Sequence, residues 1–191
     1  MNIPNILTIL RLALTLGFLY LFSINVAASA LFFILAAVTD FFDGYWARKY
    51  SLITSFGKIM DPIADKFLVL SAFALLAGNR LMPWWMFWIF AVREVGVTMF
   101  RFWAASRGKV LAAESAGKVK TVLQMATVIF FLVSVMIFPR AFLKQEFING
   151  SSALYAMALF VFDTMLLWIS VILTLLSGIS VIWNNRIILK R

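Results

Sequence analysis

The sequence predicts an all-α integral membrane protein, with six transmembrane helices around a polar cleft that faces the cytoplasm. Three observations predict it. Hydrophobic residues make up 64% of the 191-residue chain and charged residues only 13%, against about half and a quarter in an ordinary soluble domain. The apolar residues fall in long runs, separated by short stretches that hold Pro, Gly and most of the charge. The acidic residues cluster: four of the eight lie between Asp40 and Asp65, where two apolar runs meet.

The length suits a single domain spanning 1–191. The chain has no Cys and no His, so neither a disulfide framework nor a His- or Cys-rich zinc site is available. The formal net charge of +9 raises the possibility of nucleic acid. The basic residues sit between apolar runs and form no exposed stripe, so membrane lipid headgroups are the expected partner and nucleic acid is not.

The first helix opens at Asn2-Ile3-Pro4-Asn5 and is expected to run to about Phe22. It reads as a retained span and not a cleaved signal, because Arg11 interrupts its apolar run and no small-residue cleavage site follows. Asn5, Thr8 and Arg11 recur every three residues and stripe one face. Either Arg11 snorkels to the interface, or the stripe turns toward the acidic cleft. A second helix covers Val26 to about Arg48, and a third about Phe56 to Ala77, with Pro62 tolerated in its first turns. Gly78-Asn79-Arg80 closes it.

Pro83 opens a fourth helix that runs to about Ser106. Its Trp84, Trp85 and Trp88 suit an interfacial belt. Its other half carries Arg93, Glu94 and Arg101. Glu94 reads as an ion-pair partner, whereas arginines inside an apolar helix mark a functional site by default. A fifth helix runs from Gly117 to about Phe138. Lys118 and Lys120 near its start oppose the macrodipole, which points to a bound anion. Pro139 to Ser152 reads as a loop. The last helix, Ser151 to about Trp183, exceeds what a bilayer needs and so tilts or begins along the interface. Asp163 falls near its outer boundary, with no role assigned. Six spans put both termini on one side. That side holds fourteen of the seventeen Lys and Arg, the exceptions being Arg80, Arg140 and Lys144. The positive-inside rule makes it cytoplasmic, in a cell membrane.

The acidic cluster has fixed spacing: Asp40-x-x-Asp43-Gly44-x-x-Ala47-Arg48, eight residues, then Gly57-x-x-x-Asp61-x-x-x-Asp65. Helical residues three or four apart share a face. Asp40 and Asp43 therefore point one way from one helix, and Asp61 and Asp65 one way from the next. A short link lets both pairs face one cleft. Four carboxylates there repel one another, and near a bilayer each costs about 2.5–3.5 kcal/mol. One or two hard divalent cations, Mg²⁺ or Mn²⁺, offset that charge, and a pair of them can clamp a phosphoryl group. Gly44 and Gly57 allow close backbone approach of a bulky phosphorylated ligand, and Arg48 supplies a guanidinium fork for phosphate. Spacing alone does not choose a general base among the four aspartates.

These residues resemble, without departure, the signature of the CDP-alcohol phosphotransferases, integral membrane enzymes that displace CMP from a CDP-linked substrate with an alcohol. The N-I-P-N-x-x-T-x-x-R run from Asn2 to Arg11 is similar to the start of many members. The resemblance implies that Asp65 is the base and that Asp40, Asp43 and Asp61, with Asp65, hold metal, two ions of Mg²⁺ or Mn²⁺. It implies a CDP-lipid held by Asn5, Thr8, Gly44, Ala47, Arg48 and Gly57, and it allows a homodimer.

The added cations Arg93, Arg101, Lys118 and Lys120 argue for an alcohol that is itself anionic. Around them, A-V-R-E-V, F-R and G-K-V-K-T resemble the phosphatidylglycerophosphate synthases within that family. This implies CDP-diacylglycerol and glycerol 3-phosphate as substrates. An inositol phosphate or another phospho-alcohol is the alternative acceptor. A divalent-cation transporter would explain the four aspartates, but not Gly44, Ala47, Arg48 or the basic rim.

Overall fold

The computed structural model describes residues 3–50, 55–107, 115–144 and 151–185. Within them, the side chains of 3–5, 40–50, 55–62, 115–116, 118 and 140 lie outside the described set. Six α-helices follow one another: α1 (Ile3–Phe22), α2 (Val26–Tyr50), α3 (Ser55–Gly78), α4 (Trp84–Ser106), α5 (Ser115–Ile137) and α6 (Ser151–Asn184). No strand occurs among the described residues.

The helices form along the apolar runs, and a helix satisfies its backbone hydrogen bonds internally, as an apolar surrounding demands. Val119–Ile137 and Ser151–Asn184 are long and apolar enough to cross a membrane, and Ile6–Phe22 and Val26–Thr39 are shorter apolar helices. At about 1.5 Å per residue, the 34 residues of α6 reach about 51 Å, well beyond the hydrocarbon core.

The helix ends sit within two or three residues of the expected positions. The end of α3 differs in detail. Backbone bonds from Arg80 N–H to Ala77 (3.1 Å) and from Leu81 N–H to Leu76 (2.9 Å) close it as a Schellman turn. The left-handed residue is Arg80, at φ 60°, and not Gly78. A side chain there costs roughly 1–2 kcal/mol. The segment expected to be a loop after Pro139 contains a short π-helix, Arg140–Lys144. Its Phe142 is buried in the core, which holds the turn against the bundle.

Packing order follows from the contacts. α1 lies on α2 and α3, α2 on α5, α3 on α4, and α6 on both α4 and α5. Aromatic residues fill the middle: Phe18 meets Phe33 at 5.3 Å, and Phe73 stacks on Phe90 at 4.2 Å. Gly17 lets α1 approach α2 closely, since a Cβ there would stand 2.5 Å from the Phe32 ring. Ser29 of α2 also donates to the Phe18 carbonyl of α1, at 2.8 Å.

Between α5 and α6 the packing is polar. The Gln124 amide donates to Thr174 (3.1 Å), and the hydroxyls of Thr127 and Ser170 meet at 2.8 Å. Such bonds between membrane helices contribute about 0.6 kcal/mol each on average and fix the register of the pair. Asp163 is fully buried in this packing, deep in α6.

Candidate active site

The signature spans the end of α2 and the beginning of α3. The backbones of Asp40, Asp43, Gly44, Ala47 and Arg48 are helical in α2, and those of Gly57 and Asp61 in α3. The side chains of these residues lie outside the described set, as do those of Asn5 and Lys118. Residues 51–54, which join the two helices, also lie outside it. Asp61 and Asp65 are one helical turn apart, about 6 Å along the axis. The Asp65 side chain is partly buried and engaged with a neighbour.

The polar stripe on α1 turns inward. Thr8, Arg11 and Thr15 are all buried, and Thr8 and Arg11 each have an interaction partner. Arg11 is 0% exposed, so it does not snorkel. Phe18 and Phe22 continue the same face, which places the stripe in the contact of α1 with α2 and α3. A buried arginine is kept only where counter-charge or acceptors offset its desolvation.

A second polar cluster joins α4, α5 and α6. Arg93 donates from Nη1 to Oε1 of Glu94 (3.2 Å) and from Nη2 to the Ser177 hydroxyl of α6 (2.8 Å). Lys120 of α5 donates its ammonium to the same Glu94 oxygen. Lys120 is 2% exposed and Glu94 6%. One carboxylate therefore sits between two cations. Three helices contribute to this polar region, and α4 and α5 both pack on α3, the helix that carries Asp61 and Asp65.

The expected acceptor cations do not all converge. Arg93 and Lys120 meet at Glu94, and Lys120 is buried where a rim position was expected. Lys118 and Lys120 differ by about 200° in helical register, so the two lysines do not act from one face. Arg101 is exposed, two turns along α4 from Arg93. Nearby Arg107 stacks over the Trp103 ring at 4.3 Å. Sequence reasoning left Glu94 as an ordinary ion pair and missed Ser177. The available signal was Glu94 itself, an acid set against Arg93 in an otherwise apolar helix.

Arg93 also lines an apolar groove of about 710 Å³ between α4 and α6, with Trp88, Val92, Gly96, Phe100 and Ile179. Nothing stands within 4 Å of a Cβ placed on Gly96.

The family described as CDP-alcohol phosphatidyltransferase matches residues 1–176. The chain is 36% identical to the CDP-diacylglycerol–glycerol-3-phosphate 3-phosphatidyltransferase of Bacillus subtilis (strain 168), over 93% of this chain and 91% of that protein. The protein of the same name from Rickettsia typhi is 37% identical, over 94% of both chains. That from Treponema pallidum is 36% identical, over 70% of this chain and 69% of its own. A match of this extent carries the transferase class with it and sets the cation-transporter alternative aside. The all-helical bundle, the apolar spans and the uninterrupted aspartate signature agree with it: the chain belongs to the CDP-alcohol phosphatidyltransferase family.

Proposed function

We propose that this enzyme transfers the phosphatidyl group of CDP-diacylglycerol to glycerol 3-phosphate, giving phosphatidylglycerophosphate and CMP. The observation that carries it is the buried Arg93–Glu94–Lys120 cluster beside the aspartate-bearing helix. It holds two cations against one carboxylate. A desolvated excess of positive charge calls for an anion, and an acceptor alcohol that carries a phosphate supplies one. The relatives with this activity in their names match along nearly the whole chain.

The donor set fits a hard divalent cation: four carboxylates in two pairs, the members of each pair about one helical turn apart, and no His or Cys in the chain. Asp40, Asp43, Asp61 and Asp65 would hold Mg²⁺ or Mn²⁺, two ions in this proposal. When bound, the ions supply charge stabilisation to the pyrophosphate and the departing CMP.

The chain's own residues do the rest. Arg48 grips phosphate of the nucleotide, and Gly44, Ala47 and Gly57 leave room for it. Asn5 and Thr8 lie on the inward stripe of α1 and face the same ligand. Arg93 and Lys120 hold the acceptor phosphate, while Arg101 and Lys118 draw it in from the water. Asp65 takes the proton from the acceptor hydroxyl. That oxygen forms a bond to the phosphorus of the phosphatidyl group, the bond from this phosphorus to the CMP oxygen breaks, and CMP leaves with the electron pair. The six helices span the membrane in this proposal, with the cleft and both termini on the cytoplasmic side, where nucleotide and glycerol 3-phosphate are dissolved.

The test is an acceptor screen on purified protein. Radiolabelled CDP-diacylglycerol is offered with glycerol 3-phosphate, inositol phosphate or serine, and CMP and lipid product are measured. Product with glycerol 3-phosphate alone is the expected result. Preference for inositol phosphate would move the assignment to the alternative phospho-alcohol acceptor, and preference for serine would overturn the anionic-acceptor argument.

A further inference from the structure

We infer that Glu94 is a positioning residue for the acceptor site, anchoring Arg93 and Lys120 together with Ser177 and Gly178 of α6. This rests on the proposal above that these two cations hold the acceptor phosphate.

The geometry is specific. Arg93 and Lys120 share a single oxygen of Glu94, Oε1. Two cations brought this close repel each other, and burial removes the water that would screen them. The carboxylate between them is what keeps them in one place. Neighbours on a helix point about 100° apart, yet the Arg93 guanidinium turns back to Glu94 through Nη1 and crosses to Ser177 through Nη2. Two of its nitrogens are thus held by protein. Its third, Nε, is buried with no hydrogen-bond partner among the described residues. A guanidinium fixed on two sides, with its Nε–H unused, is prepared to receive an anion.

α6 completes the arrangement. Ser177 is anchored in turn, donating to the Thr174 carbonyl at 3.1 Å. A Cβ on Gly178 would stand 3.3 Å from Cγ of Arg93, so the glycine lets the arginine stem press close against α6. Glu94 thereby links α4 to α5, and Arg93 links α4 to α6. The acceptor cations take their positions from three helices at once, with Glu94 as the shared contact.

The test compares Glu94→Gln with Arg93→Gln, Lys120→Gln and the charge swap Glu94→Lys/Lys120→Glu, reading thermal stability and the KM for each substrate. Glu94→Gln is expected to raise the KM for glycerol 3-phosphate roughly 10-fold or more, with the KM for CDP-diacylglycerol within about twofold and Glu94→Asp recovering part of the loss. The swap restores an ion pair but moves the cation from α5 to α4. It is expected to recover thermal stability and not acceptor KM. Equal changes in both KM values for Glu94→Gln, or full recovery of acceptor KM in the swap, would overturn the positioning role. If Arg93→Gln and Lys120→Gln leave acceptor KM unchanged, the acceptor-site proposal itself fails. If they raise it while Glu94→Gln does not, only the role of Glu94 fails.

Discussion

Lys120 on α5 and Arg93 on α4 converge on one oxygen of Glu94, and all three side chains are largely shielded from solvent. A buried ion pair is a weak source of stability, because desolvation offsets most of its attraction. A cluster with surplus positive charge is weaker still. Its retention in a membrane-embedded bundle is better explained by a ligand than by folding, and the adjacent aspartate signature says what chemistry that ligand meets.

Metal removal is the first test of that chemistry. Four carboxylates gathered in one cleft, as proposed, would repel one another unless counter-charge were present. Activity is expected to vanish with EDTA and to return with Mg²⁺ or Mn²⁺, measured as CMP release. Full turnover in metal-stripped protein would rule out the assignment of Asp40, Asp43, Asp61 and Asp65.

Asp65→Asn separates the base from the metal ligands. The amide nearly preserves shape but cannot take a proton. Turnover is expected to fall at least ~10²-fold, with the protein still folded and nucleotide binding largely kept. Asp40→Asn and Asp61→Asn should also raise the metal concentration needed for half-maximal activity. Near wild-type turnover of Asp65→Asn at saturating metal would assign the base elsewhere.

Sidedness is directly measurable, because the chain contains no Cys. A single cysteine introduced at position 53 is expected to react with an impermeant maleimide only from the cytoplasmic side, and one at position 145 only from the outside. The reverse pattern would put the cleft on the face away from dissolved nucleotide.

Much of the bundle was legible because its signals are local. Six apolar runs gave six helices, and Pro83 and the Gly78–Arg80 turn marked ends that the structure keeps. The aspartate signature was legible for the same reason, since helical spacing alone puts its members on shared faces. The exceptions depend on tertiary contact. Residues 140–144 looked like a loop, because nothing local reveals that Phe142 will be buried against the core. Arg11 read as interfacial or inward on its spacing alone, and its burial against the neighbouring helices decides for inward. Glu94 looked like a partner for its chain neighbour, and only the docking of α5 shows that Lys120 shares it. Ser177 carries no sequence signal at all; it matters because α6 lies against Arg93.

The last prediction sets Arg93 against Arg101, which sequence reasoning treated alike. The structure separates them. Arg93 is partly buried, held through Nη1 and Nη2, with Nε left over. Arg101 is exposed, about 12 Å further along α4. A charge-assisted hydrogen bond to phosphate in a desolvated site contributes about 1.5–3 kcal/mol, or roughly 10- to 150-fold. An exposed cation is screened by water and salt, which limits its effect to about fivefold or less. Arg93→Gln is therefore expected to lower kcat/KM for glycerol 3-phosphate by the larger factor at any salt concentration. Arg101→Gln should lower it by the smaller one, and that loss should shrink further as salt rises. Steady-state kinetics at low and high salt, with CDP-diacylglycerol saturating, decide the matter. A larger and salt-insensitive loss for Arg101→Gln would move the phosphate from the α4–α5–α6 cluster to the membrane surface. Glu94 would then have no part in holding it.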